Sequence, residues 1–234
     1  MNWLKQQRLL AALLALLCLV LLVLAVPRFV ASLYALYPES VLSQTQAHLP
    51  ADAYLKSIKA LDDALAWDNN PEYWQAKSIC YLALFNFPDQ SLIQQHLLLL
   101  DARLAITNGL SGSPIDAFAW FRLAVINKNL GLQVKEFLSL SLYAGHVEPE
   151  LIMPRLIVAY PYSAGFGNEE QALWLKQVNL AWQLTPSKLV TFVIENHYAK
   201  AWVISAFVND AEHLNQFNLA YDSATKTSIS AATN

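Results

Sequence analysis

Residues 102–124 read ARLAITNGLSGSPIDAFAWFRLA, the pattern of two helices joined by a turn. The first run carries small and apolar side chains at helical spacing, and Gly, Ser and Pro then punctuate the chain. A second run opens behind Ser113-Pro114-Ile115-Asp116. There a hydroxyl precedes a proline at the first helical position and an acid falls in the first turn, so free amides are satisfied or complemented. Thr185-Pro186 and Asn69-Asn70-Pro71-Glu72 repeat the device, which gives three helix starts one local chemistry. Six glycines in 234 residues argue against a β-rich fold full of tight turns. The fold class is read as all-α.

Working outward, helices are expected over about 51–67, 72–85, 90–108, 114–130, 134–144, 148–160, 168–184, 187–208 and 210–224, with a frayed tail over 225–234. Ala102, Ile106, Gly109 and Pro114 fall at the spacing of the second helix of a tetratricopeptide repeat and its closing proline. Trp120, Leu123 and Ala124 fall where the next unit's first helix places Trp, Leu and a small residue. Trp74, Ser78 and Tyr81, preceded by Ala60, Ala64 and Trp67, are similar with a slipped register. Ala181 and Pro186 keep the spacing, while Trp174, Val178 and Phe192 depart from it. The resemblance implies TPR-like antiparallel helical hairpins over 51–224, the alternative being an irregular helical bundle.

The hydrophobic excess lies at the N-terminus. From Leu9 to Val26 no charge occurs, enough to cross a hydrocarbon core of about 30 Å. Lys5 and Arg8 precede the run and Arg28 follows it, so residues 1–8 are expected in the cytoplasm and the remainder outside. Trp3 and Tyr34 suit the two headgroup levels. The competing reading is a cleaved signal peptide, but the run is long, Val30-Ala31-Ser32 is a poor cleavage site, and Leu17 before Cys18 spoils a lipoprotein box. Residues 27–50 are read as a juxtamembrane connector, helical at first, broken by Pro38, then polar through Gln44, Gln46 and Pro50. A second apolar stretch, 188–207, is interrupted by Glu195, Asn196, His197 and Lys200, which would be costly at mid-bilayer, so it is expected to be a soluble helix.

Several chemistries are disfavoured. A net charge of -3 gives no electrostatic footprint for nucleic acid. His48, His96, His146, His197 and His213 form no pair at metal-ligand spacing, so no metal and no cofactor is expected. Cys80 reads as a small buried hydrophobe. Asp62-Asp63 and Glu169-Glu170 diverge around a helix, as do Glu195 and His197, and Gly165-Phe166-Gly167 lacks the lysine of a phosphate loop. No catalytic residue is assigned. The stretch with binding character runs from Tyr160 to Asn168, where Tyr160, Tyr162, Phe166 and Asn168 offer rings and an amide to a sugar or peptide; the alternative is a connector whose aromatics return to the core. Arg122 and Arg155 are candidate charged neighbours of a groove, or members of surface salt bridges.

Anchor, connector and hairpins containing Ser113-Pro114-Ile115-Asp116-Ala117-Phe118-Ala119-Trp120-Phe121-Arg122-Leu123-Ala124 together resemble small VpsP-like accessory proteins of bacterial exopolysaccharide biosynthesis. The resemblance implies a single-pass protein of the bacterial inner membrane with a periplasmic or extracellular helical domain. It also implies a non-enzymatic scaffold with protein partners in an envelope complex assembling or exporting polysaccharide. The alternatives are a binder of glycan or lipid-linked intermediates, or a polysaccharide-modifying enzyme.

Overall fold

The computed structural model describes residues 2–44 and 49–232; Gln46 of the expected connector, His48 and the tail residues 233–234 lie outside them. Among the described residues there are eleven α-helices, one 3-10 segment and no strand. By contact clustering the chain divides into two compact units, 1–114 and 115–234. The 102–124 segment crosses that division.

The first unit opens with α1, Asn2–Leu42, a single helix of 41 residues. At 1.5 Å per residue it is about 60 Å long, twice a hydrocarbon core. It is long and apolar enough to cross a membrane, and its most apolar window has none of its surface buried in the protein. The distal half behaves differently. Ala31 and Ala35 are fully buried with Ile58, Leu61, Ala64, Cys80 and Leu84. The expected break at Pro38 is therefore absent. A proline removes one backbone donor and crowds the preceding turn; packing of Ala35 and Leu42 holds the turns around Pro38, and the helix also continues through Pro27.

Three helices follow: α2 (Ala51–Leu65), α3 (Pro71–Phe85) and α4 (Leu92–Gly112). Arg28 of α1 lines a pocket with Asp68, Asn69 and Asn70 just beyond the end of α2, so α2 runs antiparallel to α1. Lys77 pairs with Asp62 across α3 and α2. The Asn70 side chain accepts the Glu72 amide at 2.9 Å with Pro71 in the first turn, as the sequence predicts. Ser91 and Gln94 form a reciprocal capping box at the start of α4. Its other end closes on α3: a Cβ on Gly109 would stand 3.2 Å from the Pro71 carbonyl and 3.0 Å from the Gln75 side chain. A side chain there would require α3 to give by a few tenths of an ångström. Ala102, Ile106 and Gly109, the predicted small–bulky–small set, are all buried.

The second unit contains α5 (Ala117–Asn129), α6 (Lys135–Ala144), α7 (Pro149–Ala159), a 3-10 segment (Tyr160–Gly165), α8 (Asn168–Leu184), α9 (Pro186–Glu195), α10 (Ala199–Ser205) and α11 (Ala211–Ala232). The α5 start differs from expectation. Asp116, not Ser113, is the cap, its carboxylate accepting the Ala119 amide at 2.8 Å, while Pro114 and Ile115 stay in the turn. α5 ends at Leu130 and Gly131, whose φ of 70° belongs to the left-handed region. α5 and α6 form an antiparallel hairpin: the Ser141 hydroxyl, late in α6, donates to the Ala117 carbonyl at the start of α5 at 2.7 Å, and Trp120 stacks on Phe137.

The helix expected over 187–208 is two helices. Asn196 ends α9 with its amide and its side chain both bonded to the Phe192 carbonyl, so the polar cluster that argued against a membrane span is where the helix breaks. Glu195 and His197 are thus not on one helix; His197 lies against the exposed Tyr198 ring. Beneath them Trp182, Phe207 and Phe217 meet with ring centroids 5.8–6.0 Å apart. α11 continues to Ala232, past the end expected at 224.

Candidate functional site

Arg155 is not a groove residue. It is fully buried, and its guanidinium donates to the Ser141 hydroxyl at 3.0 Å, the Gly145 carbonyl at 2.9 Å and the Ser141 carbonyl at 2.6 Å. Those carbonyls belong to the C-terminal end of α6, where unpaired acceptors and the helix dipole favour a cation. Burial lowers its pKa, opposed by the Glu148 carboxylate. The arginine fastens α7 to α6 and to the turn between them. Arg122 is half-buried, and its Nη1, sealed from solvent, has no hydrogen-bond partner. Burial also lowers its pKa, opposed by Asp116. Neither arginine forms a surface salt bridge among the described residues.

The Tyr160–Asn168 stretch folds back on the core of the second unit. Tyr160 packs edge-on to Phe192 at 5.9 Å and lies beside Trp202. Phe166 stacks on the fully buried Trp174 at 5.5 Å, and Tyr162 packs against the same core. Lys135 donates to the Gly165 carbonyl at 2.7 Å, and Glu170 accepts the Gly167 amide at 3.1 Å, so both ends of the turn are tied down. Only Asn168 of the four candidates stands exposed. The structure thus brings Tyr160, Tyr162 and Phe166 to one core, while Arg155 is committed to Ser141 and Gly145.

The feature missed in the sequence is the outer face of α4. Leu99, Ala102, Ala105, Ile106 and Gly109 take the inner face. Ile93, Leu97, Leu100 and Leu104 are 41–75% exposed and recur at intervals of four, three and four residues. On a helix that spacing forms one straight apolar stripe, the kind that seats in a partner helix. By the same wheel, Gln94 and Asp101 flank it on one side and His96 and Arg103 on the other. The signal was masked because Leu97-Leu98-Leu99-Leu100 points apolar groups in every direction, which reads as a buried helix.

Two further surfaces are smaller. In the second unit, Pro186, Val190, Thr191, Ala220 and Ala224 line an apolar cleft of 380 Å³ between α9 and α11. In the first, Arg28, Asp68, Asn69, Asn70, Pro71 and Tyr73 line a polar pocket of 470 Å³. Among the described residues no group of three His, Cys, Asp or Glu side chains gathers as metal ligands would. No protein-family model, no curated protein and no solved structure matches the chain.

Proposed function

We propose that this chain is a membrane-tethered interaction module: α1 holds it at a bilayer, and the outer stripe of α4 receives an amphipathic helix of another envelope protein. The observation carrying this reading is the exposed row Ile93, Leu97, Leu100 and Leu104 on a helix whose other face is already packed. Exposing four large aliphatic side chains in line forgoes burial worth roughly 1.5–3 kcal/mol each, so a surface of this kind is characteristic of a binding site. The flanking charge narrows the partner: a helix with its own apolar row and basic residues beside Asp101. Tethering to the same bilayer raises the effective concentration of both proteins, so the stripe need not bind tightly in isolation.

The biological setting proposed is assistance to exopolysaccharide assembly or export at a bacterial inner membrane, with degenerate tetratricopeptide-type hairpins outside the cytoplasm. It is supported by the layout of anchor plus hairpins and by the basic residues before the apolar run. No enzymatic step is assigned. The test is co-purification from membranes with Leu97→Glu/Leu100→Glu beside the unaltered chain. A partner retained by the unaltered chain and lost from the double variant supports docking, and equal recovery refutes it. A reporter fused after Asn234 tests orientation, with cytoplasmic activity counting against export. A second reading, glycan binding, has one observation in its favour: Tyr198 is 80% exposed and lies against His197. Saccharide binding abolished by Tyr198→Ala would establish it.

A further inference from the structure

We infer that the polar pocket between α1 and the α2–α3 turn is a binding site for the phosphoethanolamine headgroup of a bilayer lipid. The inference rests on the reading of α1 as an anchor and adds a specific ligand to it.

Position comes first. Arg28 is the first charged residue after the apolar run ending at Val26, and α1 is one uninterrupted helix there. Two residues of helix advance about 3 Å, so when Leu9–Val26 spans the hydrocarbon, Arg28 lies at the headgroup level. Because α2 runs antiparallel to α1, the α2–α3 turn comes back down to that level. Arg28, Asp68, Asn69, Asn70, Pro71 and Tyr73 then enclose 470 Å³ at the membrane surface, a volume within the range of small-molecule sites. Trp67, half-exposed in the same turn, is the amphipathic aromatic that settles at this depth.

The chemistry points to a zwitterion. The pocket offers one guanidinium and one carboxylate, and among the described residues neither Arg28 nor Asp68 is engaged in an ion pair. The Asn69 Oδ1 accepts the Trp74 indole N–H at 2.6 Å and the Asn70 Oδ1 accepts the Glu72 amide at 2.9 Å. The Asn70 side chain is also bonded to Tyr73, which leaves the Asn69 amide N–H groups as the uncommitted neutral donors. Arg28 and Asn69 suit a phosphodiester, while Asp68 suits an ammonium that can donate hydrogen bonds. Phosphatidylglycerol supplies the phosphate but nothing for Asp68 to accept charge-assisted bonds from. Phosphatidylcholine carries a cation without N–H groups. Phosphatidylethanolamine satisfies both ends.

The test uses the full chain in phosphatidylcholine nanodiscs doped with photoreactive phosphatidylethanolamine or photoreactive phosphatidylglycerol, with labelled peptides mapped by mass spectrometry. Phosphatidylethanolamine is expected to label the 67–73 turn preferentially. Arg28→Gln and Asp68→Asn should each reduce that labelling by about tenfold, the effect of losing one charge-assisted hydrogen bond. Labelling that excess free phosphoethanolamine leaves intact places the source in the bilayer, whereas displacement assigns the same chemistry to a soluble compound. Equal labelling by both lipids, unchanged in both variants, overturns the proposal. Alkaline extraction of native membranes reads the anchor separately: a chain that resists extraction but shows no lipid preference refutes the headgroup site alone.

Discussion

Residues 115–234 bury Trp174, Trp182, Phe192, Phe207 and Phe217, whereas residues 2–114 close their helix crossings with Ala31, Ala35, Ala64, Ala102 and Gly109 and leave Ile93, Leu97, Leu100 and Leu104 outside. Small residues at a crossing bring backbones together and leave little interior for long side chains to fill. The first unit therefore displays apolar surface at two places, along the first part of α1 and on the outer face of α4. The second buries Trp174, Phe192, Phe207 and Phe217 and ties a buried guanidinium to the end of a helix. The proposed docking row thus lies in the first unit, and the largest buried rings lie in the second.

The contrast is broken most severely by deleting the buried arginine. Arg155→Ala takes the guanidinium from the Gly145 carbonyl, leaves the Ser141 carbonyl with the Gly145 amide alone and opens a cavity, at an expected cost of about 3 kcal/mol in denaturant unfolding of the full chain in detergent. A loss below about 1 kcal/mol would show that solvent replaces those bonds. Next comes the glycine crossing. Gly109→Leu forces a side chain against the Pro71 carbonyl and the Trp74 Cβ, and about 2 kcal/mol of destabilisation is expected from overpacking, with the damage read by hydrogen exchange in α3 and α4.

Alkaline pH separates the units. Burial raises the Cys80 thiol to about 12 from 9.0. Burial, assisted by Asp101 and Asp62, raises the Tyr81 hydroxyl to about 12 from 10.0. Above pH 9.0 the unfolded chain ionises these groups while the folded chain keeps them protonated, so the first unit loses stability as pH rises toward 12. Arg155, a guanidinium donating three hydrogen bonds, keeps its charge over the same range, so the second unit lacks this loss. Hydrogen exchange at rising pH, corrected for intrinsic rates, should find α2 and α3 opening before α6 and α7, and Cys80→Ala should weaken that order. The smallest stability effect belongs to the docking stripe. Leu104→Glu should change unfolding free energy by no more than about 0.5 kcal/mol, because most of the side chain is already in water.

Much of this contrast was visible in the residues. The charge-free run, the helical class, the Asn70 cap and the buried face Ala102, Ile106 and Gly109 all follow from local chemistry and period. What was hidden depended on neighbours distant in sequence. Pro38 reads as a break until α2 and α3 hold the turns around it. Arg155 reads as a surface cation because its acceptors, the Ser141 and Gly145 carbonyls, are supplied by another helix. Ser113 reads as a cap, but Asp116 reaches the Ala119 amide instead. The Tyr160–Asn168 rings are polar-edged in sequence and core-facing in space. The pocket around Arg28 exists only because α2 returns along α1, and the four consecutive leucines of α4 do not reveal which faces outward.

The central claim is that α4 presents a docking surface and the second unit does not. A photocrosslinking residue at Leu100, compared in living cells with one at Tyr143, a more exposed position of the second unit, tests it directly. Docking predicts a discrete adduct with a membrane protein from Leu100 alone, abolished by Leu97→Glu. The same adducts from both positions, or none from Leu100, would contradict it.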